Sequence, residues 1–332
     1  MRHVAALAGV GLKTVSRVIN QEPNVTEATI ARVMDAAQRL NYVPNLHAGN
    51  LRRAGRKTQT LGLLVGNVAN PFAGALHRAV EEAARDRGTA VFAASLDDDP
   101  LRERGIVEAF LKRRVDGLIL TTATKSQGYL VTEQQRGTPL VFVDREPVGV
   151  EADAVISDNA IGAATAVRHL IEHGHRDVAY LGDRHEIQTA RERKRGFLEQ
   201  MAQMGVPTSE AMVIEDLHDA ESAYIAVREL LARELPPTAL FTSQNLVTIG
   251  AIRALRELDA QHTTALVGFD DFVLADLLEP GITVVAQNPQ RIGALAAERI
   301  FARLDGDETP EQSYVVPTQL IVRGSGEIRP RE

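Results

Sequence analysis

The chain contains no cysteine and no tryptophan. Disulfides, thiolate nucleophiles and cysteine-ligated metals are therefore excluded. No run of 18 apolar residues occurs, so no segment is expected to span a membrane. The first residues are not a signal peptide, because the apolar stretch is short and Lys13 and Arg17 follow soon after. A cytoplasmic location is the resulting expectation. Also missing are a phosphate-binding P-loop, a G-x-S-x-G elbow and a G-x-G-x-x-G after the first apolar run. His169 and His173 are four apart, but Leu170 stands where an H-E-x-x-H zinc helix has its glutamate. A cationic helix end before Gly174 accounts for them better. No cofactor, metal ion or catalytic residue is expected, and the chain reads as a non-enzyme.

What is present is an uneven distribution of charge. The 332 residues carry a net charge of −7. Residues 1–58 hold nine Lys/Arg against three acids, which makes that segment +6 and leaves −13 for the rest. A cationic end with helical periodicity suggests a folded nucleic-acid binder attached to a larger acidic body. The length itself predicts two or three domains.

Three short helices are predicted in the basic segment. The first covers about 3–8, with Val4, Leu7 and Ala8 on one side, and Gly9 supplies the turn. The second, about 12–19, turns Val15, Val18 and Ile19 inward. Thr26 has the character of an N-cap and Glu27 suits a first turn. The third helix, about 27–40, repeats apolar residues at Ile30, Val33, Met34, Ala37 and Leu40. Two helices joined by a tight glycine turn and followed by a third form the helix-turn-helix pattern. A three-helix domain without nucleic acid has the same spacing, and the charge favours the former.

Beyond residue 60, apolar runs alternate with amphipathic segments. Runs at 61–66, 90–95, 116–121 and 139–144 form one series, and runs at 177–182, 211–215, 238–243 and 264–269 form a second. Apolar strands separated by helices predict parallel sheets covered on both faces, and two series predict two doubly wound lobes. Later runs at 282–287 and 314–322, with a helix at about 290–304 between them, predict a multi-segment hinge. Ligands of such sheets bind beyond the carboxyl ends of the strands. That rule selects Asn67, Asn70, Pro71, Phe72, Asp144, Arg145, Asp183, Arg184, His218, Gln244, Asn245, Asp270 and Asp271, with Gln287 on a late crossing. Polar side chains with one aromatic suit a polyol or sugar-like ligand.

The segment AALAGVGLKTVSRVIN at 5–20 resembles the helix-turn-helix of the LacI/GalR family of bacterial repressors, whose usual form is A-x-x-A-G-V-S-x-x-T-V-S-R-V-x-N. LNYVPN at 40–45 is similar to the end of that domain, and Ala48 to Leu51 to the hinge after it. The resemblance extends over nearly the whole chain. It implies that the second helix enters the major groove of double-stranded DNA with Leu12, Lys13 and Arg17 facing the bases. Arg17 can make bidentate contacts to a guanine edge, Lys13 can donate to guanine or phosphate, and Leu12 can only make apolar contact. Thr14, Ser16 and Asn20 are candidates for phosphate contact; capping and solvation are the alternative roles of Ser16 and Asn20. Gly11 replaces the usual serine cap, which costs little helix stability but removes a hydroxyl. The family normally has several residues, including a threonine N-cap, before the position of His3. Fraying of the first helix, or a natural start upstream, is therefore expected, and either weakens DNA binding by the sequence as it stands.

In the family, paired hinge segments become helical on DNA and insert a leucine into a minor-groove step; Leu51 stands at that position. The alternative is a basic linker that places Arg52, Arg53, Arg56 and Lys57 on phosphates. The implied fold is an N-terminal all-α helix-turn-helix domain plus an α/β periplasmic-binding-protein-like body of two doubly wound parallel-sheet lobes. The implied bounds are 1–45 for the DNA-binding domain, 46–59 for the hinge and 60–332 for the effector-binding and dimerisation body. The N-lobe is placed at about 60–157 and 289–317, and the C-lobe at about 158–287 and 318–332.

By the same resemblance, Phe72, Asp144, Arg145, Arg193, His218, Gln244, Asp270 and Gln287 are effector contacts. Asp144 has a turn-capping alternative, Arg193 and Asp270 an ion-pair alternative, and His218 that of a surface or satisfied residue. Gln244–Asn245 replaces a usual Asn-Asp pair, so ligand orientation is not transferable from relatives, and His218 replaces an apolar aromatic and can add a hydrogen bond. Asp158 reads as a hinge-ordering residue. A homodimer on a near-palindromic operator is expected, since the tetramer-forming leucine tail of the family does not follow the last strand. A sugar-binding receptor without DNA activity and an α/β enzyme with a fused regulatory domain are the rival readings.

Overall fold

The structure, a computed structural model, describes residues 1–19, 22–42 and 58–330. Two compact units are present, 1–58 and 59–332.

The first unit holds α1 (Arg2–Ala8), α2 (Leu12–Ile19) and α3 (Glu27–Arg39). Gly9 ends α1 with φ 63°, a left-handed conformation that glycine adopts without steric cost. Val4, Ala5, Ala8, Val15, Val18, Val33, Ala36 and Ala37 form its core. Four residues at apolar-looking positions lie outside it: Leu7, Ile30, Met34 and Leu40 are exposed. Valines and alanines make the contact instead. Thr26 stands at the N-cap of α3, but its hydroxyl meets Thr29 Oγ1 at 2.9 Å rather than a backbone N–H.

The second unit contains two six-stranded sheets. The first takes β1 (Thr60–Val65), β2 (Ala90–Ser95), β3 (Gly117–Leu120), β4 (Leu140–Val143), β5 (Asp153–Ser157) and β11 (Ser313–Val316), in the order β11-β5-β4-β3-β1-β2. Every pairing in it is parallel, with Leu63 of β1 opposite Ala93 and Ile119. The second sheet takes β6 (Val178–Leu181), β7 (Val213–Ile214), β8 (Ala239–Thr242), β9 (Ala265–Phe269), β10 (Thr283–Ala286) and β12 (Gln319–Ile321), in the order β12-β10-β9-β8-β6-β7. Only β12 runs antiparallel. The four-residue strands β3, β4, β6 and β8 are wholly buried, as strands covered on both faces must be.

Helices cover both faces. α4 (Pro71–Asp86) and α11 (Pro289–Leu304) pack on one face of the first sheet through Leu76, Val80, Ile292 and Ile300, and α5 (Pro100–Lys112) packs on the other through Val107 and Phe110. α7 (Asn159–Glu172) and α8 (Gln188–Gln203) cover one face of the second sheet, and α9 (Ala220–Leu231) and α10 (Asn245–Glu257) the other. The short α6 (Val131–Gln135) leads into β4.

Two departures from the sequence reading have physical causes. The run 314–322 is two strands in different sheets, broken at Pro317, which has no N–H to continue a ladder. The run at 153–157 is a strand that its polar ends conceal. Asp153, fully buried, is held by Arg303 Nε at 2.9 Å and Arg299 Nη2 at 3.3 Å. The chain crosses between the lobes after β5, after β10 and between β11 and β12. The Asp158 carboxylate on the first crossing accepts from Thr318 N on the third at 2.7 Å, which ties two hinge strands together.

The pair α7–α8 packs with backbone nearly in contact. A Cβ at Gly196 would stand 2.1 Å from the Ala160 carbonyl oxygen, whereas one at Gly105 in α5 would meet nothing within 4 Å. Gly196→Ala should therefore destabilise the body by roughly 1–3 kcal/mol or more, and Gly105→Ala should stabilise it by about 0.5–1 kcal/mol. Urea unfolding of the two variants tests this, and equal effects would contradict the packing described.

Candidate functional site

The carboxyl ends of the two sheets face one cleft, which leaves about 620 Å³ of empty space, part of it open to solvent. Phe72, Asp144, Arg145, Arg193, His218, Gln244, Asp270 and Gln287 all line it. They come from both lobes and from chain positions more than 200 residues apart.

Asp144 and Asp270 occupy corresponding places. Each follows its strand directly and carries a left-handed backbone, with φ 68° and 71°. Each N–H still pairs with the neighbouring strand: Asp144 with Val155 O at 3.0 Å and Asp270 with Val285 O at 2.9 Å. The ladder thus holds a backbone conformation that is rare for any residue with a side chain and costs of order 1 kcal/mol or more. Burial pushes the Asp144 carboxyl up to about 6, against the opposing pull of Arg145 and Arg193. Burial also raises Asp270, while Arg193 and the Gln287 amide, donating at 2.7 Å, pull it down.

The cations are anchored to the walls. Arg145 donates to Thr122 O at 2.5 Å and pairs with Asp98 at 2.7 Å. Arg193 donates to Asn159 Oδ1 at 2.8 Å and Ser243 O at 2.6 Å, and its guanidinium lies 3.8 Å from the centre of the Phe269 ring. Its separation from Asp270 is 3.8 Å, too long for a hydrogen bond. His218 Nδ1 meets Asp183 Oδ1 at 2.7 Å, and this bond raises the imidazole's affinity for a proton. Gln244 caps α10 by accepting from Leu246 N at 3.0 Å and turns its NH₂ to Asp183 and the His218 carbonyl, each at 3.3 Å.

Among the described residues, three polar contacts cross the cleft. Asn245 Nδ2 donates to Asn70 Oδ1 at 2.8 Å, Glu146 N donates to Gln188 Oε1 at 3.0 Å, and His218 Nε2 stands 3.8 Å from Asp98 Oδ2. Asn245 therefore joins the lobes, while Asp271 is held away by a two-fold pairing with Arg323 at 2.7 Å. Asp98 and Asn159 were not anticipated. The strand-end rule, applied after β2, points to Asp98. Nothing in sequence marks Asn159, whose importance comes from the long-range bond to Arg193. Elsewhere, His185, Glu186 and Asp216 gather ligand atoms within 4.8 Å, but all three are exposed and the histidine simply ion-pairs with both acids.

On the basic unit, α2 presents Leu12, Lys13 and Arg17 to solvent, with Leu12 48% exposed. Thr14 and Ser16 are half-buried beside them. Asn20 and Leu51 lie outside the described residues. Arg17 stands 3.9 Å from Glu22. An exposed leucine beside Lys13 at the start of a short helix is unexplained by packing, but suits a surface that meets DNA bases.

A helix-turn-helix unit on the same chain as a two-lobed body with a polar interlobe cleft defines a ligand-responsive DNA-binding regulator. Residues 1–45 match the family described as bacterial regulatory proteins, lacI family, and residues 167–326 match the periplasmic binding protein-like domain. The chain is 30% identical to the HTH-type transcriptional regulator DegA of Bacillus subtilis, over 97% of this chain and 96% of that protein. It is also 30% identical to the ribose operon repressor of Escherichia coli K12, over 98% and 99% respectively. Among solved structures, the transcriptional regulator CelR in complex with cellobiose, 32% identical, superposes with a TM-score of 0.72, covering 97% of this chain and 98% of that one. The chain belongs to the LacI/GalR family of bacterial transcriptional regulators. No helix among the described residues is long and apolar enough to cross a membrane.

The raised Asp144 gives a stability prediction with a definite sign. A carboxyl whose folded-state pKa exceeds its unfolded value destabilises the fold increasingly as pH rises from about 3.8 to about 6, and fully above that. At about 1.4 kcal/mol per unit, Asp144→Asn should gain up to about 3 kcal/mol at pH 8 and much less at pH 4.5; asparagine tolerates the left-handed backbone. Urea unfolding at the two pH values checks it, and a variant that is less stable at pH 8 would refute the burial argument.

Proposed function

We propose that the protein is a repressor that binds a near-palindromic operator as a homodimer and is controlled by a sugar-like effector held in the interlobe cleft. The observation that carries this reading is the convergence of eight polar or aromatic side chains from both lobes on one cleft, in a chain whose basic unit exposes Leu12, Lys13 and Arg17 on one helix. The ribose operon repressor and the CelR–cellobiose complex support a sugar class for the ligand. Arg17 and Lys13 read base edges, Leu12 makes apolar contact, and Thr14, Ser16 and Asn20 position the helix on phosphates. Leu51 acts as the minor-groove wedge of the hinge.

In the body, Asp144, Arg145, Arg193, Asp270 and Gln287 bind ligand hydroxyls, Phe72 covers an apolar face, and His218 and Gln244 complete the C-lobe side. The chain works by binding and not by catalysis, in the cytoplasm where its operator lies. The effector favours one arrangement of the lobes, since equal affinity for two arrangements shifts neither. Coupling of a few kcal/mol is enough to change operator occupancy tenfold or more. The Asp158–Thr318 bond lies on the crossings about which the lobes move.

Two measurements test the reading. Operator affinity should fall steeply with salt, as expected for roughly 6–10 phosphates contacted per dimer; salt-independent or weaker than micromolar binding would count against it. Arg17→Ala should relax base preference at one operator position at a cost of ~1–3 kcal/mol. A uniform loss across all sequences would reduce Arg17 to a phosphate contact.

A further inference from the structure

One contact across the mouth of the cleft meets a need that neither lobe satisfies alone. Asn70 is the N-cap of α4, and its Oδ1 accepts from Phe72 N at 2.9 Å. The same oxygen accepts from Asn245 Nδ2, at the start of α10 in the other lobe, at 2.8 Å. The capping bond fixes which way the Asn70 amide faces. Asn70 therefore turns an oxygen toward the opposite lobe, and that oxygen calls for a donor.

Asn245 supplies the donor in spite of its own surroundings. It is fully buried, and its Oδ1 has no hydrogen-bond partner among the described residues. A buried polar atom left unpaired is unfavourable, so local bonding does not account for how this amide is turned. Half a turn of the amide would set its oxygen against that of Asn70. The bond across the cleft is what orients it. The other two crossings differ: the Glu146–Gln188 bond uses a backbone N–H, and His218 Nε2 and Asp98 Oδ2, 3.8 Å apart, are beyond hydrogen-bonding distance. Among the described residues, Asn70–Asn245 is thus the one hydrogen bond between side chains that crosses the cleft.

We propose that the Asn70–Asn245 bond is a latch that holds the lobes together in the unliganded body, so that the effector acts on a cleft already near its closed arrangement. One net hydrogen bond biases the resting arrangement about five-fold, and still lets the lobes part for entry and exit. The proposal concerns regulation of the cleft and rests on its reading as the effector site. Only one of the two amides has to donate, so the same chemical change acts oppositely on its two sides. Asn245→Asp sets an ionised acceptor against Asn70 Oδ1 and breaks the latch. Asn70→Asp keeps an acceptor for both Phe72 N and Asn245 Nδ2 and preserves it. Both carboxylates stand at helix N-termini, where the helix dipole favours them.

The chain has no cysteine, so Leu101→Cys and Glu221→Cys provide the sole sites for nitroxide labels. Both residues are exposed, and each lies three positions past a residue that lines the cleft, Asp98 or His218. Double electron–electron resonance on the full-length, unliganded protein, diluted with unlabelled chain, then measures the separation of the lobes. The labelled parent should show chiefly the short separation of the closed structure. Asn245→Asp should lower the ratio of short to long separations about five-fold, and Asn70→Asp should not lower it. Asn245→Ala, which has no donor, should open the lobes in the same way and carries the test if Asn245→Asp does not fold; thermal unfolding shows which variants are folded. A parent with chiefly long separations, a distribution that both Asn245 variants leave unchanged, or an Asn70→Asp variant that opens as far as they do overturns the latch. Neither effector nor operator enters the measurement, so any of these results leaves the repressor reading in place.

Discussion

Two carboxylates held out of water on left-handed backbone set the terms for the rest of the body. Asp144 and Asp270 are placed by the ends of β4 and β9, where the ladder still grips their N–H groups. Such positions are unfavourable twice, once for the backbone and once for desolvation of the charge. They persist because the surrounding sheets are over-determined: the strands that carry them, β4 and β9, are buried on both faces, and each sheet is closed by helices on both sides. The stability of the lobes is what permits a cleft that is, by itself, destabilising. Sites of this kind are where local rules are expected to fail in favour of function.

The lobes are joined so that they can move without separating. Three crossings join the lobes, and the Asp158 carboxylate on the first accepts from Thr318 N on the third. Across the mouth, the contacts are few and polar: one amide–amide bond, one backbone-to-amide bond and a histidine–carboxylate approach at 3.8 Å. Interfaces this small and wettable are readily exchanged for contacts with a ligand. The body is therefore suited to shift between arrangements under a modest difference in ligand affinity.

Much of the cleft was legible because parallel sheets impose one rule, that ligands meet the carboxyl ends of strands. That rule alone pointed to Phe72, Asp144, Arg145, His218, Gln244, Asp270 and Gln287; Arg193 came from the family motif. It could not separate Asp270 from Asp271, which stand side by side: a distant arginine, Arg323, removes the second from the site. It could not reveal Asn159, which acts only through Arg193. Periodicity misled where small residues do the packing. In the basic unit, Ala36 is buried and Met34 is not, so the face that packs is the one carrying Val33, Ala36 and Ala37. A strand beginning with a buried aspartate, β5, escaped notice because its two arginine partners lie about 150 residues away.

The sequence by itself determined the basic unit with its helix-turn-helix, the two series of buried strands and the polar residues that end them. These follow from local composition, spacing and charge, which the chain carries wherever it folds. Only the tertiary structure decided which of those polar residues share one cleft and which, like Asp271, are paired away from it. Those outcomes depend on pairings across tens to hundreds of residues, and a hydrogen bond or an ion pair is settled by distance in space, which no local pattern encodes.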